Sequence, residues 1–351
     1  MEDVARGDNL QSKSDLADST IREYVAGAVS WIEAECPGVE KIPIYISEKG
    51  TRKAEDFHPY LRERLSQRAI WRQPRDKKEP ISGAMFDAMH AMAKQCRRHS
   101  AYGNYGRDAV LWDFVRLACY TGSRLGEYGL GARAKGCPLD GWNKIPDSHD
   151  VPAEWRGRPL AFIAEDFVLY DRNWREVSRR EARRHPKLVQ YVEVRFRYDK
   201  SPKNFSYRRF KRMNSYFCIV DAVLSILRRH HDDPLRRHGE PLGFLINENG
   251  TRHAISGKHM QQYLQDACVI AHPDPEHYLR KHIHCLMSHC CRVTAAVALY
   301  NAGVSIEDIA WRLRWSAQSV QEYLRDCMRT IEVLSLKAMA GAYILRPSQS
   351  V

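Results

Sequence analysis

The chain has 351 residues, room for one large domain or two ordinary ones, and its 44% apolar content supports a packed core. Fifty-five Lys and Arg against 43 Asp and Glu leave a net charge of +12, which makes a polyanion the leading class of partner. No run of about 18 apolar residues occurs, so no membrane span is expected. The polar, acidic stretch 1–18 lacks the apolar core of a secretory signal. Ten scattered cysteines with no C-x-x-C pair read as reduced thiols of an intracellular protein.

In chain order, residues 1–18 read as a disordered tail. Residues 19–78 read as a short helical region, with Ile21, Tyr24, Val25, Ala28 and Ile32 at helical spacing and an Arg-rich helix around 59–71. The sequence QPRDKKEP (73–80) suggests a hinge before a larger part, 79–351. There, Ser82 caps a predicted helix to Cys96, and DAVLWDFVRLACY (108–120) reads as a buried helix broken at Thr121-Gly122. Residues 160–170 and 189–198 read as strands, YVEVRFRY alternating as a half-buried strand does, with 207–211 as a hairpin partner. Helices are predicted over 214–230, 256–271, 286–302, 305–313 and 316–327, with a short strand at 243–246. The fold class is therefore mainly α with a small antiparallel sheet, an α+β arrangement in two parts.

Four segments hold chemistry-bearing residues, and each has an ordinary reading of its own. In TGSRLGEY, Arg124 and Glu127 share a helical face, which suits either a structural ion pair or a pre-oriented guanidinium. In RFRYDKSPKNFSYRR, Lys200 sits at a hairpin tip, where a Lys is normally a solvated edge residue. In SHCCRVTAAV, His289 and Arg292 stand near a helix start, a plausible anion site. The neighbouring His282, His284, Cys285, Cys290 and Cys291 raise a metal reading, but zinc-type ligand spacing is missing. In IAWRLRWSAQSVQEYLRD, Trp315 and Tyr323 would alone be core residues of an amphipathic helix.

Taken together, Arg124 within TGSRLGE, Lys200, His289 and Arg292 in HCCR, Trp315 in LRW and Tyr323 in EYLRD resemble, in order and placement, the tyrosine recombinase (phage integrase-like) family. The resemblance spans roughly 79–329, and RVTAAVALYNAGVSIEDIAWRLRW looks closest to recombinases of eukaryotic mobile elements. The Trp315-to-Tyr323 gap is eight residues, where nine is usual in bacterial relatives, and Tyr343 is the next Tyr downstream. The resemblance implies a two-domain clamp around double-stranded DNA, with 19–78 as a core-binding-like region and 79–351 as the catalytic domain. It implies a homotetramer on DNA and a nuclear or nucleoid location.

The implied chemistry is transesterification. Tyr323 is the nucleophile, and since a free phenol ionises only near about pH 10, neighbouring groups must assist it. Arg124 and Arg292 clamp the non-bridging oxygens as planar donors. His289 and Trp315 assist at the phosphate, Lys200 is general acid, and Glu127 supports its neighbours. Neither cofactor nor ATP nor metal is expected. The basic residues Arg179, Arg180, Arg183, Arg184, Arg208 and Arg209 are expected to grip the DNA backbone. Two alternatives stay open: a type IB topoisomerase-like relaxing enzyme, and a non-catalytic DNA-binding relic of a mobile element.

Overall fold

The computed structural model describes residues 79–100, 102–130, 142–147, 151–198, 206–246 and 250–325, all within one unit of the chain, Lys77–Val351. The tail 1–18, the region 19–78, Lys200 and everything after 325 lie outside the described residues. The described part is helix-rich with two small antiparallel sheets.

Helix α1 (Gly83–His99) starts as expected at Ser82, whose hydroxyl accepts the Met85 N–H at 3.2 Å. Its buried Met85, Ala88, Met89 and Ala93 lie on one face. Helix α2 (Arg107–Thr121) is buried along nearly its whole length, from Ala109 to Cys119. It is the axis of the main core, and each fully buried Leu or Phe on it contributes roughly 1.5–3 kcal/mol. It ends where the sequence breaks, at Gly122 with φ 63°. A Cβ there would also press on Leu313 at 3.1–3.2 Å, so glycine suits both the turn and the packing.

Strands β1 (Phe167–Tyr170), β2 (Tyr191–Phe196) and β3 (Ser206–Lys211) form an antiparallel sheet in that order. The hairpin register pairs Val192 with Phe210 and Val194 with Arg208. The predicted strand over 160–170 is shorter than expected. Residues 164–166 form a 3-10 turn, closed by the Asp166 carboxylate on the Ile163 N–H (2.8 Å) and the Arg197 guanidinium (2.8 Å). A short helix absent from the expectation, α3 (Arg179–Arg184), lies between β1 and β2 and is capped by Ser178.

Helix α4 (Ile219–Asp232) begins five residues later than predicted. Ser215 diverts the chain into a turn, its hydroxyl accepting the Phe217 N–H and its carbonyl the Cys218 N–H, each at 3.1 Å. Strands β4 (Phe244–Ile246) and β5 (Arg252–Ala254) form the second sheet. Helix α5 (Gly257–Ala271) is capped by Ser256 and packs on α1. After the single turn α6 (Tyr278–Lys281) come α7 (His289–Asn301), α8 (Ile306–Leu313) and α9 (Ala317–Arg325). These last three share a small core of Val293, Ala296, Val297, Ile309, Leu313, Trp315, Val320 and Leu324. Among the described residues, no helix is long and apolar enough to cross a membrane.

Candidate active site

The site is built where the C-terminal end of α2 meets the start of α7 and the α8–α9 corner. The turn after α2 is tied down locally. The Thr121 hydroxyl donates to the Leu117 carbonyl at 2.7 Å and meets the Ser123 hydroxyl at 2.6 Å. Arg124 follows and is exposed. Its backbone N–H donates to Glu127 Oε2 at 2.6 Å across a 3-10 turn, Leu125–Glu127. Glu127 is buried, and its other oxygen, Oε1, faces Arg314 Nη2 at 2.9 Å. The predicted pairing of Arg124 with Glu127 thus includes a bond from the Arg124 backbone.

Arg292 is 5% exposed, and Nη1 donates to the Gly122 carbonyl, joining α7 to the end of α2. Its guanidinium carbon lies 4.3 Å from the Trp315 ring centre, stacked as cations stack on indoles. Burial, and next the charge of Arg124, pulls Arg292 down to about 10, against the opposing effects of Glu127 and Tyr323. It stays a cation at neutral pH, but a cation short of counter-charge.

His289 lies one turn before Arg292 on the same face of α7, at the positive end of the helix dipole. Its ring centre is 5.1 Å from that of Tyr323. The Trp315 ring is 5.0 Å from Tyr323 and the indole is 6% exposed. The buried indole N–H finds no acceptor among the described residues. Tyr323 itself is half-buried on α9. Five of the six expected catalytic positions are thus placed: His289 and Trp315 flank the Tyr323 ring, Arg292 lies behind Trp315, and Arg124 is near enough to perturb Arg292. Lys200 lies outside the described residues. Among those residues, no group of three or more His, Cys, Asp or Glu is placed to hold a metal.

No protein-family model matches the chain, and no curated protein matches it by sequence. Among solved structures it is similar to the XerH site-specific recombinase bound to palindromic difH substrate, at 13% identity and a TM-score of 0.46, over 95% of this chain and 69% of that one. The pre-cleavage XerH–difH complex gives 14% and 0.43, over 92% and 64%. The Tn1549 transposon integrase with transposon right end DNA gives 13% and 0.41, over 88% and 75%.

The expected DNA-gripping arginines fall into three groups. Arg180 and Arg184 on α3 are exposed and form no ion pair among the described residues. Arg179, Arg183 and Arg209 are exposed but paired with Glu165 (3.3 Å), Asp232 (2.8 Å) and Glu193 (2.8 Å). Arg208 departs from expectation. It is 6% exposed, and its donors meet the Trp311 and Arg312 carbonyls at the end of α8. Its alternation on β3 points it to the covered face, where burial, then Arg314 and Arg312, pulls it down to about 10. It ties sheet to helix and does not face outward to a phosphate.

Sequence reasoning missed Arg314. Its signal was faint: AWRLRWS contains no glycine, so the helix break inside it is marked only by Ser316, whose hydroxyl caps the next helix at the Ser319 N–H (3.1 Å).

Proposed function

We propose that this protein cuts and rejoins DNA strands as a site-specific recombinase or integrase, with Tyr323 as nucleophile. The observation that carries this reading is the placement of the Tyr323 ring between His289 and Trp315, with Arg292 stacked behind Trp315. The order of the six residues in the sequence adds to it.

In the proposed step the Tyr323 oxygen attacks phosphorus and the bond to the 5′ oxygen breaks. His289 takes part in moving the phenol proton, and Lys200 supplies one to the departing 5′ hydroxyl. Arg124 and Arg292 face the extra charge of the five-coordinate phosphorus, and the partnerless Trp315 indole N–H is a further donor for it. The 3′-phosphotyrosyl ester keeps the energy of the original bond, so a second 5′ hydroxyl reverses the step without ATP. The charge needed at phosphorus comes from these side chains, and cleavage is expected to proceed in EDTA. By the same resemblance the active species is a homotetramer on double-stranded DNA, and the element served is a eukaryotic mobile element.

The test is capture of a covalent adduct. A pool of nicked duplexes with randomised flanks traps the phosphotyrosyl protein, because the short 5′ fragment diffuses away. Wild-type chain should give an adduct that resists detergent, and Tyr323→Phe should lower its yield by at least about 10³-fold. An undiminished adduct from Tyr323→Phe rejects the assignment. Relaxation of any supercoiled plasmid by a monomer would favour a topoisomerase. Tight, salt-sensitive binding with no adduct would favour a DNA-binding relic.

A further inference from the structure

Arg314 occupies a backbone state that disfavours it. Helix α8 ends at Leu313, and Arg314 follows with φ 60° and ψ 38°, in the left-handed region where glycine is the usual residue. Only one other non-glycine residue among those described, Trp174, has a positive φ. The turn is a Schellman-type closure: the Trp315 N–H donates to the Ala310 carbonyl at 2.8 Å, and the Arg314 N–H to the Ala310 and Trp311 carbonyls. A glycine would make this turn with less strain, so the turn does not account for an arginine.

The side chain does. Arg314 is 3% exposed, with its guanidinium carbon 3.5 Å from the Phe196 ring centre at the end of β2 and Nη2 2.9 Å from Glu127. Glu127 in turn holds the Arg124 N–H. One buried guanidinium therefore joins three pieces: the α8–α9 corner that carries Trp315 and Tyr323, the turn after α2 that carries Arg124, and the end of strand β2.

We propose that Arg314 is a positioning residue of the strand-cutting site, holding the Arg124 turn, through Glu127, in register with Trp315 and Tyr323. This rests on the function proposed above. The Arg314 guanidinium is committed to Glu127 and the Phe196 ring, so its effect falls on the rate of the chemical step and not on DNA affinity.

Arg314→Gly separates the two roles, because it keeps the left-handed turn and removes only the side chain. Single-turnover adduct formation on a sequence recovered from the nicked-duplex pool should slow by about 10- to 100-fold, with DNA Kd changed by less than about threefold. Hydrogen exchange at the Arg124 amide should quicken by at least about tenfold as Glu127 loses its anchor. Adding Glu127→Gln neutralises the stranded carboxylate. The double variant should regain the wild-type melting temperature while cleavage stays slow. Recovery of cleavage along with melting temperature would reduce Arg314 to a counter-charge for Glu127 and overturn the proposal, as would unchanged Arg124 exchange in Arg314→Gly. If wild-type chain forms no adduct with any duplex, the strand-cutting reading fails separately, and the exchange measurement still decides whether Arg314 holds Arg124.

Discussion

Two arginine clusters lie along and just beyond helix α2, each around one buried carboxylate, and they share that carboxylate differently. Halfway along, Asp113 is fully buried and meets three guanidinium groups: Arg97 at 3.1 Å, Arg116, and Arg229 from α4. Arg116 donates further to the Tyr216 and Cys218 carbonyls, each at 3.1 Å, and Arg229 to the Ser225 hydroxyl at 3.0 Å. Burial alone would raise the Asp113 carboxyl, but Arg229, Arg116 and Arg97 together hold it below its ordinary value. About 12 Å further on, at 1.5 Å per residue, the helix ends at the second cluster. There Glu127 gives one oxygen to a backbone N–H and the other to Arg314, and among the described residues Arg292 has no carboxylate in contact and meets a carbonyl and an indole face. The first cluster shares its carboxylate among all its cations. The second keeps positive charge in reserve, which is what a site for an incoming anion requires.

The contrast can be broken from either side. Asp113→Ala should cost the most stability, roughly 3–5 kcal/mol, because it strands buried guanidinium groups with no counter-charge. Urea unfolding measures it, and a loss under 1 kcal/mol would mean that the cluster is well hydrated. Arg292→Gln should do the reverse. Stability should change by less than about 1 kcal/mol, since the residue removed is a buried cation without its own carboxylate. Adduct formation should fall by about 10²–10³-fold, the usual loss for one donor to a transition-state oxygen. Stopped-time adduct yields at saturating DNA check this, and a loss of DNA affinity alone would place Arg292 in binding and not in chemistry.

One side of this contrast, the second cluster, was partly legible in the sequence; the Asp113 cluster, built across α1, α2 and α4, was not, and the gaps have physical causes. Caps and breaks at Ser82, Gly122 and Ser256 act within four residues, so the ends they set were readable. The α4 start was misjudged because Ser215 competes for backbone groups that the apolar pattern assigns to a helix. Arg124, His289, Arg292, Trp315 and Tyr323 were nominated through their order along the chain, which no single spacing reveals, and the fold brings His289 and Trp315 to the Tyr323 ring. Arg208 was misread because a run of arginines looks solvated until the β3 register turns alternate members inward. Arg314 was hidden because its partner, Glu127, lies 187 positions earlier and nothing local forecasts the pairing.

The gentler tests concern the surface. Arg180→Gln and Arg184→Gln should each weaken DNA binding severalfold and lower the slope of log K against log salt by about 0.9, leaving the saturated cleavage rate unchanged. Arg179 and Arg183, which already face Glu165 and Asp232, should give smaller slopes, and equal slopes across all four would show that those ion pairs open on DNA.

The smallest effect is with pH, and its sign follows from Arg292. Its value in the fold, about 10, lies below the ordinary guanidinium value, so the fold disfavours the charged form. The unfolded chain then binds more protons from about 10 up to the ordinary guanidinium value, and this group adds stability as pH rises through that window. Phosphate binding needs the charged form, so the two properties move apart. Burial makes the Arg292 proton easier to lose than that of an ordinary guanidinium, so at strongly alkaline pH the cleavage rate should carry a loss that Arg292→Gln lacks. The Asp113 cluster supplies the control. Arg229 is also lowered by burial, but Asp113 opposes the shift, and it touches none of the site residues. Comparing the alkaline limbs of wild-type and Arg292→Gln cleavage therefore isolates the Arg292 charge at the end of α2, and identical limbs would show that Arg292 keeps its proton over the whole range.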